Sequence, residues 1–214
     1  MKIIVLCALN EELKILNSNL EILKTEGEYP FKFYYGKYKN LEVITAKCGL
    51  GKIRSASFTQ FCIDNFKFDL IVNFGSCGCI NDELKIGDLI YCVKTIEYDF
   101  LTLRNFFPEF ECNFKISDEL LEKYNIKKGI LLTATQNVDS VEKKRVLREK
   151  FSGDIADWEG ASISQVCTIN KKQFLIFKTV TDRGDENILN DYKKNFKFFL
   201  NKNSSILLSL LSEI

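Results

Sequence analysis

The sequence predicts an α/β fold: three αβα layers, with a mixed, mainly parallel central sheet flanked by helices. Three observations lead there. Apolar, β-branched runs alternate with stretches whose apolar residues recur at helical spacing. Several of the runs, such as Ile3 to Cys7, are almost continuously apolar, as strands buried on both faces are. Polar clusters also follow strand ends repeatedly: Glu11/Glu12, Gly75-Ser76, Trp158-Glu159 and Asp182. Ligands of open α/β sheets bind outside the carboxyl ends of strands, so four such clusters predict one convergent pocket.

In chain order, Ile3 to Cys7 reads as a strand. Asn10 follows as an N-cap, with Glu11 and Glu12 in a first helical turn, where acids suit the helix dipole. Leu13, Leu16, Leu20 and Leu23 continue that helix. Phe31 to Tyr35 and Val43 to Ala46 form a hairpin turning near Lys39-Asn40. Cys48-Gly49-Leu50-Gly51-Lys52 is a glycine-rich turn into a helix over 53–65. Leu70 to Phe74 is a strand, apolar except for Asn73, that runs into Gly75-Ser76-Cys77-Gly78. Leu89 to Val93 and Ile130 to Leu132 are strands; the latter opens a polar loop, Thr133 to Ser140, before a helix over 141–151. Asp154 to Asp157 approaches Trp158-Glu159-Gly160, and a small-residue helix runs from Ala161 to about Asn170. Phe174 to Val180 is a strand ending at Thr181-Asp182, and the last helix spans about 187–211.

Composition narrows the function. A chain of 214 residues, 46% hydrophobic, builds a sizeable core, and no linker-like stretch divides it, so one domain over 1–214 is expected. Thirty basic against 29 acidic residues give a net charge of +1, too balanced and scattered for a nucleic-acid partner. The apolar start is too short for a signal or a membrane span. Eight cysteines without a Cys-x-x-Cys read as buried reduced thiols, which points to the cytoplasm and to no metal. The chain has no histidine. That removes Ser-His-Asp and Cys-His chemistry and leaves acid–base work to Asp, Glu, Lys, Tyr or Cys. No cofactor motif is present; Gly75-Ser76-Cys77-Gly78 is neither a Walker A sequence nor a GxGxxG fingerprint.

Taken singly, the polar residues have bland readings. Gly75 to Gly78 reads as a tight turn, Glu12 as a first-turn charge and Asp182 as an N-cap. Glu159 is odder: a carboxylate between Trp158 and small residues is expected to be partly buried, which is costly unless it binds something. Together, Ala8-Leu9-Asn10-Glu11-Glu12, Gly49-Leu50-Gly51-Lys52, Asn73 to Gly78, Asp157-Trp158-Glu159-Gly160-Ala161 and Val180-Thr181-Asp182 resemble, in order and spacing, the 5'-methylthioadenosine/S-adenosylhomocysteine nucleosidases. The resemblance covers nearly the whole chain. It implies a nucleoside phosphorylase-like fold, a nucleoside substrate and a homodimer.

The resemblance also implies roles. Glu12 would orient the attacking water, with Ser76 and Lys178 nearby; Lys178 stands where the family usually has arginine. Glu159 would accept from ribose hydroxyls, and Trp158, beside Asp157, replaces a usual methionine against the sugar. Asp182 would protonate purine N7, which requires a pKa raised by burial. Cys77 and Gly78 would line the pocket, and Gln136, Asn137 and Val138 would face the base, with Asn137 where the family commonly has a stacking phenylalanine. Tyr98 to Leu101 and Phe106-Phe107 would wall the 5' substituent from the dimer side.

Three alternatives stay open. A futalosine-type nucleosidase is disfavoured by Asp182, since that group tends to carry asparagine. A phosphorylase is disfavoured because Asn73 stands where those enzymes place a phosphate-clamping arginine, and because the opening loop carries carboxylates instead of a Gly-Asp-Pro-x-Arg sequence. A silent nucleoside-binding protein has no chemical need for Glu12, Glu159 and Asp182 together.

Overall fold

The computed structural model describes residues 1–100 and 106–214. Among these, β1 (Lys2–Cys7), β5 (Leu70–Cys79) and β10 (Phe174–Asp182) are the most deeply buried strands, with almost every residue in them covered. They lie side by side in parallel, β1 against β5 and β5 against β10. A strand covered on both faces has no place for alternating polar residues, which accounts for the continuous runs. β4 (Leu41–Lys47) extends the parallel set beyond β1, and β3 (Phe33–Tyr38) and β2 (Glu21–Glu26) add antiparallel strands at that edge. On the other side, β6 (Leu89–Glu97), β8 (Lys127–Thr133) and β9 (Ile155–Asp157) pair in parallel with one another. β6 also pairs antiparallel with β10 and with the short β7 (Glu109–Glu111).

β5 holds three partners. Its length pairs with β1 and β10, while Gly78 and Cys79 also pair with β9. The strands β5, β10, β6, β8 and β9 therefore close a ring. Helices α1 (Asn10–Asn17) and α6 (Ile188–Leu211) contact each other and pack on β4, β5 and β10. Helices α2 (Lys52–Asn65) and α5 (Gly160–Ile169) form a second pair, with α5 on β6 and β8. α3 (Asp118–Lys123) and α4 (Val141–Phe151) complete the set, each capped by a serine, Ser117 and Ser140.

Three expectations change. Asn10 does not cap α1: Leu9 is the N-cap, and the Glu12 carboxylate, three residues on, takes the backbone N–H groups of Ala8 and Leu9 at 3.0 Å each. The first helix also stops at Asn17. The Ser18 and Asn19 side chains bond back to the Ile15 carbonyl, and Leu23 falls in the exposed edge strand β2 instead of on a helix face. Finally, Gly75 to Gly78 is not a turn, because β5 runs through it to Cys79. The hairpin turns at Lys39-Asn40, with Lys39 at φ 50°, and α4 spans the expected range.

Candidate active site

A cavity of about 320 Å³ opens at the carboxyl ends of β1, β5, β9 and β10, a size suited to a small ligand. Glu12, Glu159 and Asp182, far apart in sequence, all line it. Ser76, Cys77, Gly78, Gln136, Asn137, Val138, Asp157 and Trp158 line it too. Lys178 does not. It lies beneath the surface at 1% exposure, with its ammonium 2.8 Å from Asp157 Oδ2. Of the stretch expected to wall the 5' substituent, Leu101 lies outside the described residues, and Tyr98 is buried.

Each acid is built in differently. Glu12 is 2% exposed and receives four hydrogen bonds. Ala8 and Leu9 N–H donate to Oε2, and Ser76 N–H (2.8 Å) and Oγ–H (2.9 Å) donate to Oε1. The carboxylate occupies the space that a side chain on β5 would fill: a Cβ at Gly75 would lie 2.7 Å from Oε1. Gly75→Ala is therefore expected to displace Glu12 and, on the role the resemblance implies for that acid, to lower kcat on the order of 10²-fold, since small misplacements of a reacting group carry such losses. Steady-state kinetics beside a melting curve check this; a fully active, equally stable variant would show that the contact is immaterial.

Glu159 is buried at the start of α5, where Oε1 accepts the Gly51 N–H at 2.9 Å. Burial first, and then the Asp157 charge, push its pKa up to about 7, against Lys178 and the Gly51 bond, which pull it down. The folded state thus holds a proton that the unfolded chain releases near pH 4.5. Stability from this group is full below that pH and is lost as pH rises toward 7. The stability advantage of wild type over Glu159→Gln is expected to shrink by on the order of 3 kcal/mol across that window. Urea unfolding of both proteins from pH 4 to 8 measures it; an unchanging difference contradicts it.

Asp182 sits where β10 shifts register between Val180 and Asp182 beside Gly78, and such irregularities re-aim side chains. Its Oδ1 accepts the Gly184 N–H at 3.0 Å and its Oδ2 accepts the Thr181 hydroxyl at 3.2 Å. Burial pushes its pKa up to about 6; the two hydrogen bonds oppose this, and Asp191 and Asp185 reinforce it. A Cβ at Gly78 would come within 2.9 Å of Oδ1, so the absence of a side chain there leaves room for the acid. Burial also pushes the Cys77 thiol well up, which keeps it protonated and a poor nucleophile.

Asp157 and Lys178 form the support beneath these groups. Asp157 accepts the Thr133 hydroxyl at 2.6 Å and the Gly160 N–H at 2.9 Å, besides its ion pair. Burial lowers the Lys178 pKa, but Asp157, Glu159 and Glu12 outweigh it and raise the group overall. None of the described residues lining the cavity is a lysine or arginine. Asn73 is buried within β5 with its amide on the Leu6 carbonyl at 3.0 Å, away from the lining.

Sequence reasoning missed the apolar part of the lining: Leu9, Leu50, Ile188, Leu189 and the ring of Tyr192. Leu50 lies inside the glycine-rich motif and was within reach. The α6 residues carry no signal, since 188, 189 and 192 look like any helix face.

The family described as the phosphorylase superfamily matches residues 2–214. The chain is 31% identical to a 5'-methylthioadenosine/S-adenosylhomocysteine nucleosidase of Buchnera aphidicola subsp. Acyrthosiphon pisum (strain APS), covering 92% of each chain. It is 32% identical to an aminodeoxyfutalosine nucleosidase of Campylobacter jejuni, covering 94% of this chain and 97% of that one. Among solved structures, a Helicobacter pylori 5'-methylthioadenosine/S-adenosylhomocysteine nucleosidase with bound butyl-thio-DADMe-Immucillin-A superposes with a TM-score of 0.88 at 23% identity, covering 100% and 99% of the two chains.

Proposed function

The chain belongs to the phosphorylase superfamily, in its 5'-methylthioadenosine/S-adenosylhomocysteine nucleosidase family, and from that membership and the cavity we propose how it works. The protein is an N-ribosyl hydrolase that cleaves the N-glycosidic bond of an adenine nucleoside. Its substrates are 5'-methylthioadenosine and/or S-adenosylhomocysteine. The observation that carries this reading is one cavity lined by Glu12, Glu159 and Asp182 with no cation on its described lining. A phosphate dianion there would meet the Glu12 carboxylate and no cation on the described lining, whereas neutral water meets none of that repulsion.

In the reaction, the bond from ribose C1' to purine N9 breaks and a bond from C1' to water oxygen forms. Asp182 delivers its proton to N7, so the base leaves neutral. Glu12 orients the water and takes its proton, with the rotatable Ser76 hydroxyl as the bond that yields to it. Glu159 accepts from ribose hydroxyls as the sugar becomes oxocarbenium-like. Two acids thus flank one glycosidic bond, as in ordinary glycoside hydrolysis. Lys178 acts from below through Asp157, which fixes the turn that presents Trp158 and Glu159. The apolar Leu9, Leu50, Ile188 and Leu189 support an apolar 5' substituent.

A futalosine-type substrate is the second reading, favoured by the 32% identity to the Campylobacter jejuni enzyme. Purified protein given methylthioadenosine, adenosylhomocysteine, aminodeoxyfutalosine, adenosine, inosine and futalosine, with and without phosphate, separates the readings. Phosphate-independent adenine release is expected. Release that needs phosphate, or none from any substrate, overturns the reading.

One sheet runs through the strands of the chain, which supports a single domain over 1–214. Exposed Leu50, Ile53, Phe100 and Phe106 support a homodimer. The eight cysteines are free and buried, which supports a reducing cytoplasm. No helix among the described residues is long and apolar enough to cross a membrane.

A further inference from the structure

Two loops line the cavity. One is the Gly49-Leu50-Gly51 turn before α2: Leu50 lines the cavity, and the Gly51 N–H holds Glu159. The other follows β8 and carries Gln136, Asn137 and Val138 to the lining. Between them stands Asp99, just beyond the end of β6. Its Oδ1 receives the Lys52 ammonium at 2.6 Å, and its Oδ2 receives the Thr135 N–H at 2.8 Å. Lys52 is the first residue of α2, next to Gly51, and also pairs with Glu97 at 2.7 Å.

We propose that Asp99, with Lys52, is a positioning pair that couples the wall holding Glu159 to the loop holding Gln136, Asn137 and Val138. Calling those walls the ribose side and the base side rests on the nucleosidase reading; the coupling itself does not. One carboxylate with two oxygens spans two loops that belong to different strands, and each bond has a charged partner. Such bonds are shorter and stronger than neutral ones. Lys52 and Asp99 are each about one-fifth exposed, so the pair is partly shielded from water. Burial alone would raise the Asp99 pKa, but Lys52 and the Thr135 N–H outweigh it and lower it, which keeps the bridge charged. Burial likewise works against the Lys52 charge, and Asp99 and Glu97 overcome it.

The bridge makes a non-local prediction. The described partners of the Lys52 ammonium are Glu97 and Asp99, and neither belongs to the loop after β8. Even so, Lys52→Met should speed amide hydrogen exchange at residues 135–138, because Asp99 loses the partner that fixes it. With 5'-methylthioadenosine, KM should rise roughly 10-fold while kcat stays within about 3-fold, because coordinated walls serve binding more than bond breaking. Asp99→Ala should show both effects. Asp99→Asn, which keeps an acceptor for Thr135, should show a smaller change in exchange. Lys52→Arg should restore KM and exchange to near wild type, which a mere loss of packing would not predict.

Unchanged exchange at 135–138 in Lys52→Met, or a fall in kcat and melting temperature without a change in KM, overturns the proposal. Exchange is read on protein without substrate. If wild type released no adenine, the nucleosidase reading would fail, while the coupling would still stand or fall on exchange alone.

Discussion

Asp182→Asn protein is expected to fold like wild type and to lose about 10²- to 10⁴-fold in kcat on adenine nucleosides, the contribution of one positioned general acid. The geometry explains why the fold survives. The amide oxygen keeps the Gly184 N–H, and the new NH2 faces the Thr181 hydroxyl, which rotates to accept it. What disappears is the proton. An adenine anion is a poor leaving group, so the loss should depend on the leaving group. A riboside that departs as a stabilised anion, such as a nitrophenolate, needs no proton at N7 and should lose far less. The pH profile gives a second reading of the same acid. Burial lifts Asp182 to about 6, so its protonated fraction falls as pH rises through that value. Wild-type kcat/KM should show an alkaline decline that Asp182→Asn lacks. Equal losses on both leaving groups would remove the acid role.

Glu12→Gln is the second large effect. The four donors around Glu12 are all N–H or O–H groups, and an amide NH2 cannot accept from any of them. Whichever way the glutamine turns, its NH2 faces either Ala8 and Leu9 or Ser76, and buried donors are left unpaired. A fall in kcat of about 10²- to 10⁴-fold is expected, from loss of the group proposed to take the proton of water. A melting temperature lowered by several degrees should accompany it. Substrate binding, measured by calorimetry on the slowed variant, should change much less than kcat, since in the proposed mechanism Glu12 meets the water and not the base. Weakened binding with normal turnover would place Glu12 on the substrate instead.

The site was largely legible because its acids follow strand ends, and parallel strands bring their carboxyl ends to one place whatever their separation along the chain. Glu12, Glu159 and Asp182 could be read for that reason. Pairings made by side chains across the core were not legible. Nothing in the sequence connects Lys178 to Asp157; the resemblance implies a place near the attacking water, and the structure shows the ammonium buried beneath the lining on Asp157. The glycines of β5 misled for a related reason. A turn is their common use, but here Gly75 and Gly78 continue a strand and make room for the carboxylates of Glu12 and Asp182. Leu20 and Leu23 keep helical spacing, but side-chain bonds to the Ile15 carbonyl close the helix before them and β2 pairs with β3 instead. At the fold level, the apolar runs of β1, β5 and β10 identified the sheet because burial on both faces leaves no other pattern.

A crystal structure of the Glu12→Gln protein with 5'-methylthioadenosine bound bears most directly on the central claim. The expected complex has Asp182 within about 3 Å of purine N7, as a proton transfer requires, Glu159 at the ribose hydroxyls, and residue 12 near C1' on the face away from the base. A nucleoside bound outside this cavity, or one whose N7 is turned away from Asp182, would contradict it.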